Sequence, residues 1–298
     1  MFNSYFSPHT ARRFQFNRTL VCAVLLALTL PISSLVLANE SIDQLEGIAQ
    51  PESLTQLEKI AQPKHRNQQA VTTMISKADS YRIHPGAAKV VSLVKLYKSN
   101  TLDKTRQYNV YTRPNRESLV VFKSAVEAGQ KMLMIEDNYW LLMPKSRRPI
   151  RITPMQKLLG EASVGDISTL TWSEDYQGEW VKSTSIKTPN GTEVTTHQLK
   201  LTAKTKGASY QTIDLWLDAN NDFPIKADLY LRSGKMAKQA WFTQGLREGV
   251  TSVVAMTLLD KIQPNKKTII EYQAISRQTL EDKYYNPAYL SRNSVSEL

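Results

Sequence analysis

The sequence predicts an α+β fold that is mostly antiparallel β. Three observations carry this. Ten to twelve short runs rich in Val, Tyr, Leu, Met and Ile follow one another with no long helix between them. Apolar and polar residues alternate strictly in the clearest of these runs. One amphipathic helical stretch precedes them all. Such a run of strands forms a meandering antiparallel sheet that curls on itself.

The helix is expected from Gln68 to Tyr81, because Val71, Met74, Ile75, Ala78 and Tyr81 share one face and Pro85-Gly86 stops it. Strands are expected at Lys89–Ser99, Arg106–Arg113, Ser118–Ser124, Lys131–Asp137 and Tyr139–Met143. After a gap come Glu179–Lys187 and Thr192–Thr202, joined by Pro189-Asn190-Gly191, a strong hairpin signal. Tyr210–Leu217, Ile225–Arg232, Lys235–Thr243, Val250–Ile262 and Lys267–Ser276 complete the series. Ile213, Leu215 and Leu217 point one way, and Asp214, Trp216 and Asp218 the other. Ile225, Ala227, Leu229 and Leu231 repeat the pattern across the next turn, so the two apolar rows share one side of the sheet. An apolar concave side must be filled, by helices, by packed side chains or by a ligand.

Residues 1–38 read as a secretory signal peptide. They hold Arg12, Arg13 and Arg18 with no acid, then an apolar run, then Val36-Leu37-Ala38 before Asn39, with cleavage expected after Ala38. A retained anchor is the alternative, since Leu20 to Leu37 nearly spans a bilayer; Pro31, the Ser33-Ser34 pair and the cleavage pattern favour removal. Residues 39–67 form a polar leader with a short tandem repeat, Gln44 to Pro51 recurring as Gln56 to Pro63. The domain proper spans 68–298. With the signal gone, 35 basic residues face 27 acidic ones, a net charge of +8. That excess suits an anionic membrane surface or an acidic protein patch. Export argues against nucleic acid.

The one Cys, Cys22, leaves with the signal, which excludes a disulfide scaffold. His65, His84 and His197 have no second His at metal-ligand spacing, so neither metal nor cofactor is expected. There is no Gly-x-Ser-x-Gly elbow, Walker loop or dinucleotide glycine fingerprint. The weight moves from enzyme to binding protein. The sharpest local feature is an aromatic strand from Trp140 that runs into Pro144 and a basic loop: Lys145, Arg147, Arg148 and Arg151 fall within seven residues. These four are candidate docking or headgroup contacts; a merely solvated loop is the plain alternative.

Asn138-Tyr-Trp-Leu-Leu-Met-Pro144 with the following arginines resembles a segment of the outer-membrane lipoprotein-sorting (LolA-like) family. Ile75 to Arg82 is similar to that family's opening helix. Leu215-Trp-Leu-Asp218 with Phe223-Pro-Ile-Lys226 is similar to its hairpin, Gly234-Lys235 and the next strand fit as well, and Tyr285 to Leu290 resembles its aromatic C-terminal end. The matches run in order from Gln68 to Leu290. The resemblance implies an incomplete β-barrel around an apolar cavity, covered by helices on its open side. It implies a periplasmic carrier that shields lipid-like or acylated lipoprotein cargo between two membranes. An inner-membrane transporter or outer-membrane acceptor would be its partner. A sensor or scaffold that binds protein is the alternative, and a hydrolase a more distant one. The candidate cavity residues are Leu215, Leu217, Leu229 and Leu231, whose facing the alternation decides. Residues among Leu119, Val121, Met132, Met134, Trp140 and Leu142 join them, with plain core packing as the alternative.

Overall fold

A computed structural model describes residues 67–144, 146, 148–153, 164–167, 171–293 and 298. The signal peptide, nearly all of the leader, Lys145 and Arg147 lie outside the described residues. Helix α1 (Gln68–Ser80) opens the described chain. Asn67 caps it, its side chain accepting from the Ala70 N–H at 2.8 Å. Val71, Met74, Ile75 and Ala78 are buried, the face that the spacing predicts.

Thirteen strands then form one sheet. They are β1 (Ala88–Lys98), β2 (Thr101–Arg113), β3 (Glu117–Phe122), β4 (Lys131–Ile135), β5 (Asn138–Leu142), β6 (Ile150–Ile152) and β7 (Tyr176–Lys187). The second half comprises β8 (Glu193–Ala203), β9 (Thr212–Asp218), β10 (Pro224–Tyr230), β11 (Met236–Arg247), β12 (Val250–Asp260) and β13 (Lys266–Arg277). The order is β6-β5-β4-β3-β2-β1-β13-β12-β11-β10-β9-β8-β7, every pair antiparallel. Two meanders are thus stitched along a β1–β13 seam. An odd number of antiparallel strands leaves the two edges, β6 and β7, running in the same sense, and they do not pair. The sheet is a curled half-barrel and not a closed one. Between its edges the chain makes two short helical turns, α2 (Val164–Ile167) and α3 (Trp172–Asp175).

The turns explain most boundary differences. Asn190-Gly191 turns as expected, with Gly191 at φ +90°. The β1–β2 hairpin uses Ser99 and Asn100 at φ +49° and +64°. Such a turn carries no glycine to announce it, which is why β2 starts earlier than the sequence suggests. β11 runs to Arg247 because Glu248-Gly249 makes a two-residue turn at φ +51° and +79°. β6 is new: Ile150–Ile152 pairs with β5 directly after Pro149, so Arg151 lies on an edge strand and not in the basic loop.

Both faces of the sheet carry a core. The concave one gathers α1, α2 and α3 over strands from both meanders. The convex one lies over β2–β5, where Leu280, Tyr285, Leu290 and Leu298 cover Tyr111, Leu119, Val121, Leu133 and Leu142. Within this cover, Pro287–Arg292 forms α4, capped by Asn286. The Arg113 guanidinium stacks 3.8 Å from the Tyr285 ring and pairs with Asp282 at 2.5 Å, which clamps the segment down.

Helix α1 rests on β7 at Gly178. A Cβ there would stand 2.4 Å from Ile75 Cδ1 and 3.1 Å from Val71 Cγ1. The Gln68 side-chain amide also donates to the Gly178 carbonyl at 3.0 Å. Gly178→Val is expected to push the helix off the strand and cost about 1–3 kcal/mol, as overpacking does. Denaturant unfolding measures this, and adding Ile75→Ala should restore part of the loss.

Candidate functional site

The concave face is a trough built from cross-strand rows. In the first meander Val90, Val110, Val120, Met132 and Leu141 stand opposite one another across β1 to β5. In the second, Leu199, Leu215, Ala227, Ala240 and Leu258 do the same across β8 to β12. Direct antiparallel partners share a face, so these rows form a continuous apolar lining.

The structure sorts the predicted cavity residues into two groups. Leu215, Leu217 and Leu229 are buried in the concave core, and Leu231 packs against it half-buried. Met132 belongs to the same core. Met134, two residues on, shares its face by the strand period of two. Leu119, Val121, Leu142 and Trp140 lie on the convex side, under the C-terminal cover. The physical reason is that β3 and β5 are apolar on both faces. Alternation is then silent about which side is inward, and the expectation of one shared cavity fails for these four.

Of the basic stretch, Arg148 is exposed and Arg151 is exposed on β6, its guanidinium bonded to the Asn138 side chain. Arg151 pairs directly with Trp140, which places it toward the convex side. The residues opposite the Leu215 row are not simply solvated either. Trp216 is buried on the convex face under the Lys226 ammonium, 4.0 Å from its ring, and Lys226 in turn pairs with Asp228 at 2.9 Å.

Three polar ties hold the cover over the trough, and none was visible in the sequence. Asp79, at the end of α1, accepts from the N–H groups of Trp172 and Ser173 at 3.2 and 2.8 Å. It accepts from the Ser173 hydroxyl at 2.8 Å and from Arg82 at 3.0 Å. Asp79 therefore caps α3, while Arg82 lies 3.7 Å over the Trp172 ring. Burial pushes the Asp79 carboxyl above its ordinary range despite Arg82 and these bonds. Second, Asp166 on α2 accepts from the Tyr210 hydroxyl at 2.6 Å and pairs closely with Lys238 of β11. Burial, with Asp166 alongside, raises the Tyr210 phenol well above its usual value.

The third tie joins turns from both meanders. Arg116, in the β2–β3 turn, pairs with Asp137 at 2.7 Å and with Asp175 at 2.8 Å. The Thr205 hydroxyl donates to Asp175 at 2.6 Å, the Gly207 N–H to Asp137 at 2.9 Å, and the Tyr139 hydroxyl to the Gly207 carbonyl at 2.9 Å. Burial works to raise the Asp137 carboxyl, yet Arg116 and the Gly207 N–H hold it below the usual range. These partners are 21 to 70 residues apart in the chain, so no local motif announces them.

A protein-family model described as an uncharacterized protein matches residues 114–292, more than half of the chain. The chain belongs to this family. Its fold is that of LolA superfamily proteins. A LolA superfamily protein from Nitrosomonas europaea is 24% identical, with 74% of this chain and 98% of that one covered at a TM-score of 0.65. A structure described as an outer membrane lipoprotein-sorting protein domain, from Vibrio parahaemolyticus, is 20% identical, with 76% and 100% covered at 0.60. A DUF1329 family protein from Desulfovibrio piger is 18% identical, with 75% and 98% covered at 0.60. At these identities the likeness is one of fold. No curated protein matches the chain.

The Asp79 tie makes a pH prediction. A carboxyl whose folded-state pKa is raised binds its proton more tightly in the folded protein. Its contribution to stability is full below its ordinary 3.8 and is lost as pH rises through the folded value. Asp79→Asn cannot titrate. Its thermal midpoint should therefore lie furthest below wild type in acid and approach it toward neutral pH. A gap that stays constant or widens with pH would show that Arg82 and the hydrogen bonds outweigh burial at this carboxyl.

Proposed function

We propose that this protein carries or binds lipid-like or acylated cargo in the periplasm, with the concave trough as its site and a membrane-bound donor or acceptor as its partner. One observation carries the reading. The sheet presents a continuous apolar face that no strand pairing closes, and its cover is a 13-residue helix with two four-residue helical turns held partly by polar ties. An isolated helix of that length is marginal in water, so this cover depends on its contacts and is exchangeable for other apolar matter. An acyl chain gains about 0.8 kcal/mol per buried CH₂, which makes a shielded trough a sufficient means of moving it through water. The LolA-like fold and the signal-like N-terminus agree with this role.

Two experiments test the proposal. Organic extraction of protein purified from its native compartment, followed by mass spectrometry, should release near-stoichiometric lipid or acylated material. The delipidated protein should then bind an apolar fluorophore. Empty protein that, still folded, ignores the fluorophore would overturn the carrier reading and favour a scaffold. The basic stretch supplies the docking part of the proposal. Replacing Arg147 and Arg148 with Glu should leave the thermal midpoint nearly unchanged and slow association with anionic vesicles. Raised salt should erase that difference, since exposed charges are screened over about 8 Å at physiological ionic strength. Equal association rates at low salt would show the loop to be only solvated.

A further inference from the structure

One end of the trough changes character. The row beside the all-apolar Val90–Val110–Val120–Met132 row runs Ala88, Thr112, Ser118, Met134 and Tyr139 across β1 to β5. Three of its five side chains carry hydroxyls. Thr112 and Met134 also line a cleft of about 220 Å³ at this end, together with His84, Arg116, Thr171 and Glu174. Two of its lining residues adjoin the concave core: Met134 shares its strand face with core Met132, and Thr171 directly precedes core Trp172.

Three buried polar atoms at this place have no hydrogen-bond partner: Ser118 Oγ, Arg116 Nε and His84 Nδ1. Ser118 is 1% exposed and stands directly between Thr112 and Met134 in the row. Arg116 and His84 line the cleft, and Ser118 stands behind its wall residues Thr112 and Met134; unsatisfied buried polar groups are costly and uncommon, and these mark a place that a ligand's polar atoms would complete. The charges narrow the ligand. Arg113 is engaged by Glu117 and Asp282, and Arg116 by Asp137 and Asp175, so both cations are already outnumbered by carboxylates. Glu174 is exposed and has no ion-pair partner among the described residues. A phosphate or carboxylate would meet net negative charge here. A hydroxyl instead accepts from Arg116 Nε and donates to Ser118, His84 or Glu174.

We propose that this cleft is the headgroup site of an amphiphilic ligand whose head is neutral and hydroxyl-bearing, of the acylglycerol or glycolipid kind, with its acyl chain along the Val–Met rows. The assignment rests on the carrier reading and specifies its substrate class.

The test uses delipidated protein and four lipids that share one chain: 1-monooleoylglycerol, oleate, 1-oleoyl-lysophosphatidate and oleylamine. Each competes below its micellar concentration with a bound apolar fluorophore. Monooleoylglycerol should bind about tenfold more tightly than the two anions, the worth of one or two hydrogen bonds. Ser118→Ala removes a hydroxyl that has no partner in the protein, so its thermal midpoint should not fall. Ser118→Ala and, separately, His84→Ala should each reduce the monooleoylglycerol preference while leaving oleate affinity in place. Equal affinity for all four lipids, or a preference that survives both substitutions, overturns the headgroup site and leaves the carrier reading standing. Tightest binding by oleylamine overturns the neutral-head assignment in favour of a cationic one. Failure of every lipid to bind the folded protein overturns both readings.

Discussion

The structure depends on one constraint, an apolar sheet face that its own strands cannot enclose. Thirteen antiparallel strands bring the two edges round in the same sense, and β6 is only three residues long. Hydrogen bonding between the edges is therefore not the way the trough closes. At about 25 cal/mol per Å² of apolar surface, leaving the concave rows in water would cost more than a domain's net stability. A cover is thus obligatory, and the sheet dictates where it sits. Helix α1 brings Val71, Met74, Ile75 and Ala78 to the lining, and Gly178 gives up its side chain so that the helix lies directly on β7.

What holds the cover is chemically different from what it covers. Asp79, Asp166 and Asp175 are three buried or nearly buried carboxylates, and each joins a covering element to another part of the chain. Such ties contribute little net stability, because desolvation offsets most of their Coulomb gain. Removing one partner is different, costing about 3–5 kcal/mol when a charge is left buried and unpaired. Ties of this kind specify position more than they add energy. They hold the helical turns in one register over a greasy surface that would accept them in several. That property is what the proposed carrier function would require of the cover.

The two faces of the sheet also differ in how permanently they are sealed. The convex core of β2–β5 is closed by the chain's own C-terminal segment through aromatic packing and the Arg113 clamp. The concave side is closed by short helical turns and, at one end, meets hydroxyls and unpartnered polar atoms. The two apolar surfaces of one sheet are thus sealed in different ways, and the proposed site lies on the concave one.

The strand series, helix α1 and the inward facing of Leu215, Leu217 and Leu229 were legible in the sequence. Each follows from a local period, 2 for a half-buried strand and 3.6 for a helix, and a local period needs no knowledge of distant residues. The sequence also carried the ordered family motifs that led to the fold. The side that Leu119, Val121, Trp140 and Leu142 take was settled by folding alone, because a strand apolar on both faces has no period to read. Only the tertiary structure brought Asp79 to Ser173, Asp166 to Lys238 and Arg116 to Asp175, pairs separated by 59 to 94 residues, where the partner is chosen by the curl of the sheet and not by spacing along the chain.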